Sequence, residues 1–172
     1  MIGTDVTNVK RAALDLAKAG FAVFPCKAKN KAPACPHGFK DASTDPAVIE
    51  KLFSKPNLNL AIATGPASGC WVLDVENLGL ADLARLEREH GELPQTVSQQ
   101  TGGGGVHYFF KWDGRRPVTN KAKLGGLNID VRGDGGYVVV PPSVHDKSGE
   151  AYEWGNSPGS VLIAEAPAWL VE

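Results

Sequence analysis

An α+β fold with an antiparallel sheet is the architecture this chain predicts, on three observations. Apolar residues recur at helical spacing in a few separated stretches, and short β-type runs fill most of the second half. Three of the β-type runs also carry acidic or histidine side chains among residues that favour burial.

The elements follow in order. Over residues 5–19, Val6, Val9, Ala13, Leu16 and Ala17 recur at helical spacing and Gly20 stops the run. Residues 21–24 read as a strand closed by Pro25, and a basic, proline-containing loop runs to about Lys40. Asp45 before Pro46 places a cap and a first-turn proline on a second helix reaching about Phe53. Residues 60–64 form a short buried strand before Gly65 and Pro66, and residues 71–76 form another. A helix over residues 80–90 carries Leu80, Leu83 and Leu86 on one face. Residues 96–98 are a weak strand and residues 106–110 a strong one. Residues 127–132 and 137–140 are expected to be the arms of a hairpin turning at Asp134-Gly135-Gly136, with Pro141-Pro142 ending the second arm. A last strand falls at 151–154 and a helical turn around 167–170.

The length suits one domain with a proper core. No apolar run approaches the roughly 20 residues of a membrane span, so no membrane partner is expected. The first residues carry Lys10 and Arg11 without an apolar signal core, so a cytoplasmic address is expected. Three cysteines fit a reducing compartment better than a disulfide framework. Cys26, Cys35, His37 and Cys70 together offer four zinc ligands, but their spacing matches none of the paired Cys-x-x-Cys patterns, and free thiols are the expectation. Basic residues gather in two stretches, Lys27, Lys29, Lys31 and Lys40, then Lys111, Arg115, Arg116, Lys121 and Lys123, which would steer a polyanion to particular faces.

Alternation on a strand places Asp74 and Glu76 on one face, with Leu73 and Val75 on the other. Two carboxylates side by side repel and need a cation. Asn128, Asp130 and Arg132 share a face of a second strand, and if that strand neighbours the first, Asp130 completes an oxygen cage. Three carboxylates with open positions suit Mg²⁺ or Mn²⁺, and two such ions can activate a hydroxyl and stabilise a pyrophosphate leaving group. The Gly102–Gly105 run lacks the Lys-Ser/Thr of a phosphate loop. Its backbone N–H groups, those of Gly104 and Gly105 included, can still approach an anion. His107, just past it, is placed to donate to a triphosphate oxygen, and Arg132 to pair with a phosphate or with the carboxylates. Ser143, His145 and Lys31 are expected near the substrate, from the end of the hairpin and from the basic loop.

The ordered set Gly20-Phe21-Ala22-Val23-Phe24-Pro25, Gly38–Asp45, Ile62–Pro66, Leu73-Asp74-Val75-Glu76, Gly104-Gly105-Val106-His107 and Asp130–Ser143 resembles the bifunctional primase-polymerase (prim-pol) domain of the archaeo-eukaryotic primase superfamily, found at the N-terminus of plasmid and phage replication proteins. The resemblance implies metal ligands at Asp74, Glu76 and Asp130 and a nucleotide-phosphate contact at His107. It also implies a sheet like that of an RNA-recognition fold, packed with an N-terminal α/β lobe, with the active site in the cleft between them. On that pattern residues 1–172 are one catalytic domain, the N-terminal part of a longer replication protein, with a helicase domain or protein as partner. The expected activity is template-directed nucleotidyl transfer, as DNA primase or DNA polymerase, on single-stranded or primed DNA with nucleoside triphosphates. Primer extension is favoured over de novo priming. The alternatives are a non-catalytic origin- or single-strand-binding module and a metal-dependent nuclease.

Overall fold

The structure, a computed structural model, describes residues 6–171. It is α+β, with two antiparallel sheets and four short helices among the described residues. Helix α1 (Val6–Lys18) follows the amphipathic pattern, burying Val9, Ala13, Leu16 and Ala17; the expected start at Asp5 lies outside the described residues. Strand β1 (Val23–Lys27) runs through Pro25 rather than stopping before it. This is tolerated because β1 is an edge strand, so the missing N–H interrupts no interior ladder. Helix α2 (Pro46–Leu52) starts where the cap predicts, with the Asp45 carboxylate accepting from the Ala47 N–H at 2.9 Å.

Strands β2 (Leu58–Ala63), β3 (Cys70–Val75), β4 (Ser98–Gln100), β5 (Val106–Lys111), β6 (Ile129–Arg132), β7 (Tyr137–Val140) and β8 (Glu153–Asn156) complete the sheets. Helix α3 (Leu80–His90) connects β3 to β4, and α4 (Ala168–Val171) closes the described chain. One sheet has the order β1-β2-β7, the other β6-β3-β5-β4-β8. The path β3-α3-β4-β5-β6, with β3 and β5 central and β6 beside β3, is the strand order of an RNA-recognition fold. The helix that would join its last two strands is replaced here by an irregular segment, and β8 is added at the edge.

The expected hairpin of residues 127–132 and 137–140 is not formed. Strand β6 pairs with β3 in the five-stranded sheet, while β7 pairs with β2 in the three-stranded one. The intervening residues 133–136 cross between sheets because their polar groups are anchored elsewhere. Thr64 Oγ1 donates to the Gly133 carbonyl at 2.6 Å, Asp134 N–H donates to Val118 O at 2.7 Å, and Asn120 binds both Gly133 N–H and Asp134 O at 2.8 Å.

Both faces of the five-stranded sheet are covered. Trp71, Leu73, Val75, Phe110 and Ile129 pack with Leu83 of α3, whereas Leu80 of the same helix is 37% exposed. On the other face Cys70, Val72 and Phe109 meet Leu60, Ile62, Val138 and Val140 of the three-stranded sheet and the apolar stripe of α1. A smaller cluster, Phe24, Cys26, Ala61 and Ala63, lies on the far side of the three-stranded sheet, beneath Cys35, Phe39 and Tyr137.

Candidate active site

One row of the five-stranded sheet is polar. Asp74 of β3 is the register partner of both Asp130 on β6 and His107 on β5, and His107 is in turn the partner of Gln99 on β4. All four side chains therefore rise from the same face, the one turned toward the three-stranded sheet. Val72 and Phe109, one pleat along, bury themselves against that sheet. The polar row instead borders a cavity of about 730 Å³, lined by Asp74, His107 and Arg132 on one side and by Val138 and Val139 of β7 on the other.

The carboxylates are held by side chains. Arg132 Nη2 donates to Asp130 Oδ2 at 2.9 Å and to Asp74 Oδ2 at 3.3 Å, and His107 Nε2 lies 3.0 Å from Asp74 Oδ1. The second oxygen of Asp130 accepts from the Lys123 backbone N–H at 2.9 Å. Burial by itself would raise the Asp74 carboxyl. The hydrogen bond from His107, with the Arg132 charge behind it, outweighs burial and holds the group below the usual carboxylate value.

Glu76 lies one residue past the end of β3, where the chain turns into a 3₁₀ segment, so strand alternation no longer governs it. It is exposed on the rim of the same cavity. Among the described residues no three His, Cys, Asp or Glu side chains already converge as a metal-holding group. The donor set nonetheless fits a hard divalent cation in its chemistry. It consists of carboxylate oxygens, two of them facing each other across adjacent strands, at a point where a guanidinium now supplies the positive charge.

The glycine run behaves differently from the expected anion cradle at two positions. Gly104 N–H donates to Thr101 O at 3.1 Å and Gly105 N–H to Thr101 Oγ1 at 3.0 Å, so both amides close the turn rather than face the cavity. Gly105 is required sterically, because a Cβ there would lie 2.4 Å from the Val75 carbonyl. Gly103 and Gly105 line the cavity.

Lys31 and His145 line it too, with Lys31 Nζ 3.4 Å from His145 Nε2 and 3.6 Å from Asp146 Oδ1. The Nδ1 of His145 accepts from the backbone N–H groups of Lys147 and Ser148, so Nε2 carries the hydrogen, and two donors stand side by side at the cavity wall. Ser143 is a correction. It is fully buried, accepts from Leu60 N–H at 2.7 Å and donates to Leu60 O at 3.2 Å, and so bonds the backbone of β2 just past the end of β7.

The four candidate zinc ligands are not gathered. Cys70 belongs to the core between the sheets, Cys26 and Cys35 to the cluster on the far side, and His37 pairs with Asp41 at 3.1 Å. Sequence reasoning missed Gln99 and Tyr152. Gln99 lies in phase with buried Val97, the one signal that its side chain points inward. Buried Tyr152 lines the cavity, and its hydroxyl is held well above the usual phenol value by burial and then by the charges of Asp146 and Asp74.

The site is thus an RNA-recognition-type sheet bearing facing carboxylates and a histidine beside a cavity that Lys31, Arg132 and Lys147 also line. The family model for bifunctional DNA primase/polymerase, N-terminal, matches residues 13–169, and the chain belongs to that family. No curated protein matches it. Membership implies a primase/polymerase-type nucleotidyltransferase acting with DNA and nucleotides. No described helix is long and apolar enough to cross a membrane.

Proposed function

We propose that the protein is a template-directed nucleotidyltransferase. In this reading the 3′-hydroxyl of a primer attacks the α-phosphate of a nucleoside triphosphate seated in the 730 Å³ cavity. The observation that carries it is the register of Asp74, Asp130 and His107 on one pleated row, with Asp74 and His107 lining that cavity, in a chain of this family. Asp74, Asp130 and Glu76 would hold Mg²⁺ or Mn²⁺, two ions in the full arrangement. When bound, such ions supply positive charge to the attacking oxygen and to the pyrophosphate leaving group.

The chain's own contribution is positioning. His107 donates from Nε2 to an acceptor at the cavity wall, Asp74 or a phosphate oxygen. Arg132 neutralises the paired carboxylates or, swung outward, a phosphate, its fork suiting both. Lys31 and His145 present two donors across from them, placed for the outer phosphates. Gly103 and Gly105 leave the wall low enough for a ligand to approach. The exposed bases of the two stretches, Lys121 and Lys123 beside β6 among them, would hold the template backbone. Primer extension is the proposed activity, with a helicase domain or protein as the partner in replication.

The test is incorporation of labelled deoxynucleotide on a primed template with Mg²⁺ or Mn²⁺. Asp74→Ala should lower it at least about a hundredfold. Equal incorporation by both proteins, or none by folded, metal-supplied wild type, refutes the reading. A second reading, single-strand binding without chemistry, is favoured by one observation: Arg132 already compensates both carboxylates. It requires triphosphate binding to be indifferent to metal and to Asp130→Asn. Fragments from DNA incubated without triphosphate would point instead to a nuclease.

A further inference from the structure

Gln99 is completely buried, and its amide nitrogen has two acceptors, His107 Nδ1 at 2.8 Å and the Val139 carbonyl of the opposite sheet at 2.8 Å. Val139 O can only accept, so the nitrogen of the amide, not its oxygen, must occupy this position. Both N–H bonds are then committed, one to each partner. A ring nitrogen that accepts a hydrogen bond carries no proton, so Nδ1 of His107 is bare and the proton sits on Nε2, the nitrogen aimed at Asp74.

We infer that Gln99 is a positioning residue that fixes His107 as the Nε2–H tautomer, so that the ring presents a donor to the cavity whether or not Asp74 is there to accept it. The inference rests on the reading of His107 as the triphosphate contact. Asp74 alone would also favour a proton on Nε2 while it accepts. Once its oxygens serve another partner, only the lock behind the ring keeps that N–H in place for a phosphate. The lock is anchored across the two sheets, because Gln99 is on β4 and Val139 on β7.

The experiment separates the two influences on the ring. With ¹⁵N-labelled histidine, the His107 nitrogens are assigned in wild type, in Asp74→Ala, and in Asp74→Ala combined with Gln99→Met, at a pH where imidazole is neutral. Gln99 as the lock gives a single Nε2–H tautomer in wild type and in Asp74→Ala, and a mixture in the double variant. A mixture already in Asp74→Ala, or an Nδ1–H signal in wild type, overturns it; neither observation needs a Gln99 variant to fold. In parallel, Gln99→Met alone should weaken triphosphate binding with Mn²⁺ about tenfold, the effect of one misdirected hydrogen bond, and affinity within twofold of wild type overturns the inference. If wild type binds no triphosphate, the substrate reading falls, and the tautomer measurement still decides what Gln99 does.

Discussion

Asp74 and Asp130 are direct cross-strand partners, two carboxylates facing each other on adjacent strands and kept there by one guanidinium. Like charges in this position destabilise a sheet. Arg132→Met should therefore cost about 1 kcal/mol in thermal or urea unfolding, a modest figure because the Arg132 side chain is 40% exposed. Mg²⁺ or Mn²⁺ should raise the melting temperature of this variant more than that of wild type, since the vacated charge is what the ion replaces. An equal shift in both proteins would show that the carboxylates are not the ion's ligands.

Gly105→Ala tests whether the glycine run is shaped by packing. Its new Cβ meets the Val75 backbone, which cannot move without disturbing β3, and a loss of at least about 2 kcal/mol is expected. At Gly103 the nearest obstacle is the His145 ring, 3.1 Å away, so Gly103→Ala should cost less in stability. Equal urea midpoints for the two variants would contradict this.

Ser143→Ala removes a hydroxyl that bonds both the N–H and the carbonyl of Leu60, in a fully buried position. Stability should fall by about 1–3 kcal/mol, while the KM for nucleotide in the extension assay stays within about twofold. A selective rise in KM without loss of stability would return Ser143 to the substrate.

His145 is held below its ordinary 6.5 by burial first and then by the charge of Lys31, with Lys147 adding to it and Asp146 opposing. Lys31→Ala should move the His145 titration upward in an NMR pH series. The sign for stability follows. A histidine harder to protonate in the folded state supports folding above 6.5, and that support is lost as pH falls through the lower folded value. The variant should lose less on acidification than wild type.

Burial pushes the thiols of Cys26 and Cys70 up to about 12, and burial with the Asp41 charge pushes Cys35 to about 11. These raised values support folding fully below 9 and progressively less as pH climbs from there toward the folded values. Stability should accordingly decline above about pH 9, less steeply in Cys70→Ala. In a thiol-labelling experiment on the native protein, Cys35 should react first, and Cys26 and Cys70 only at the rate of unfolding.

The parts of this molecule legible in its sequence are those governed by local periodicity. The helical spacing of α1, the Asp45 cap and the bounds of α3 all follow from nearest neighbours along the chain. Alternation places Asp130 and Arg132 on one face, and the structure seats Asp130 opposite Asp74 and Arg132 opposite Val72, from where its guanidinium reaches both carboxylates. What was not legible depends on partners distant in sequence. The crossing at residues 133–136 is dictated by Thr64, Val118 and Asn120, and no local turn signal distinguishes it from a hairpin. Ser143 serves Leu60, and Gln99 serves Val139, across separations no periodicity encodes. Strand alternation does not reach Glu76, because β3 stops one residue short of it.

The passage of the chain from β6 directly into β7 has a mechanical consequence. Arg132 and Val139 stand on opposite walls of the cavity, yet they belong to one short length of backbone, stitched at its midpoint by the Asn120 amide and the Thr64 hydroxyl. The walls are thus leaves joined at a spine, and any guest bulky enough to spread them must flex residues 133–136. Loosening that stitching, as Asn120→Ala would, changes how far the leaves part at the cost of a single lining side chain, that of Asn120 itself.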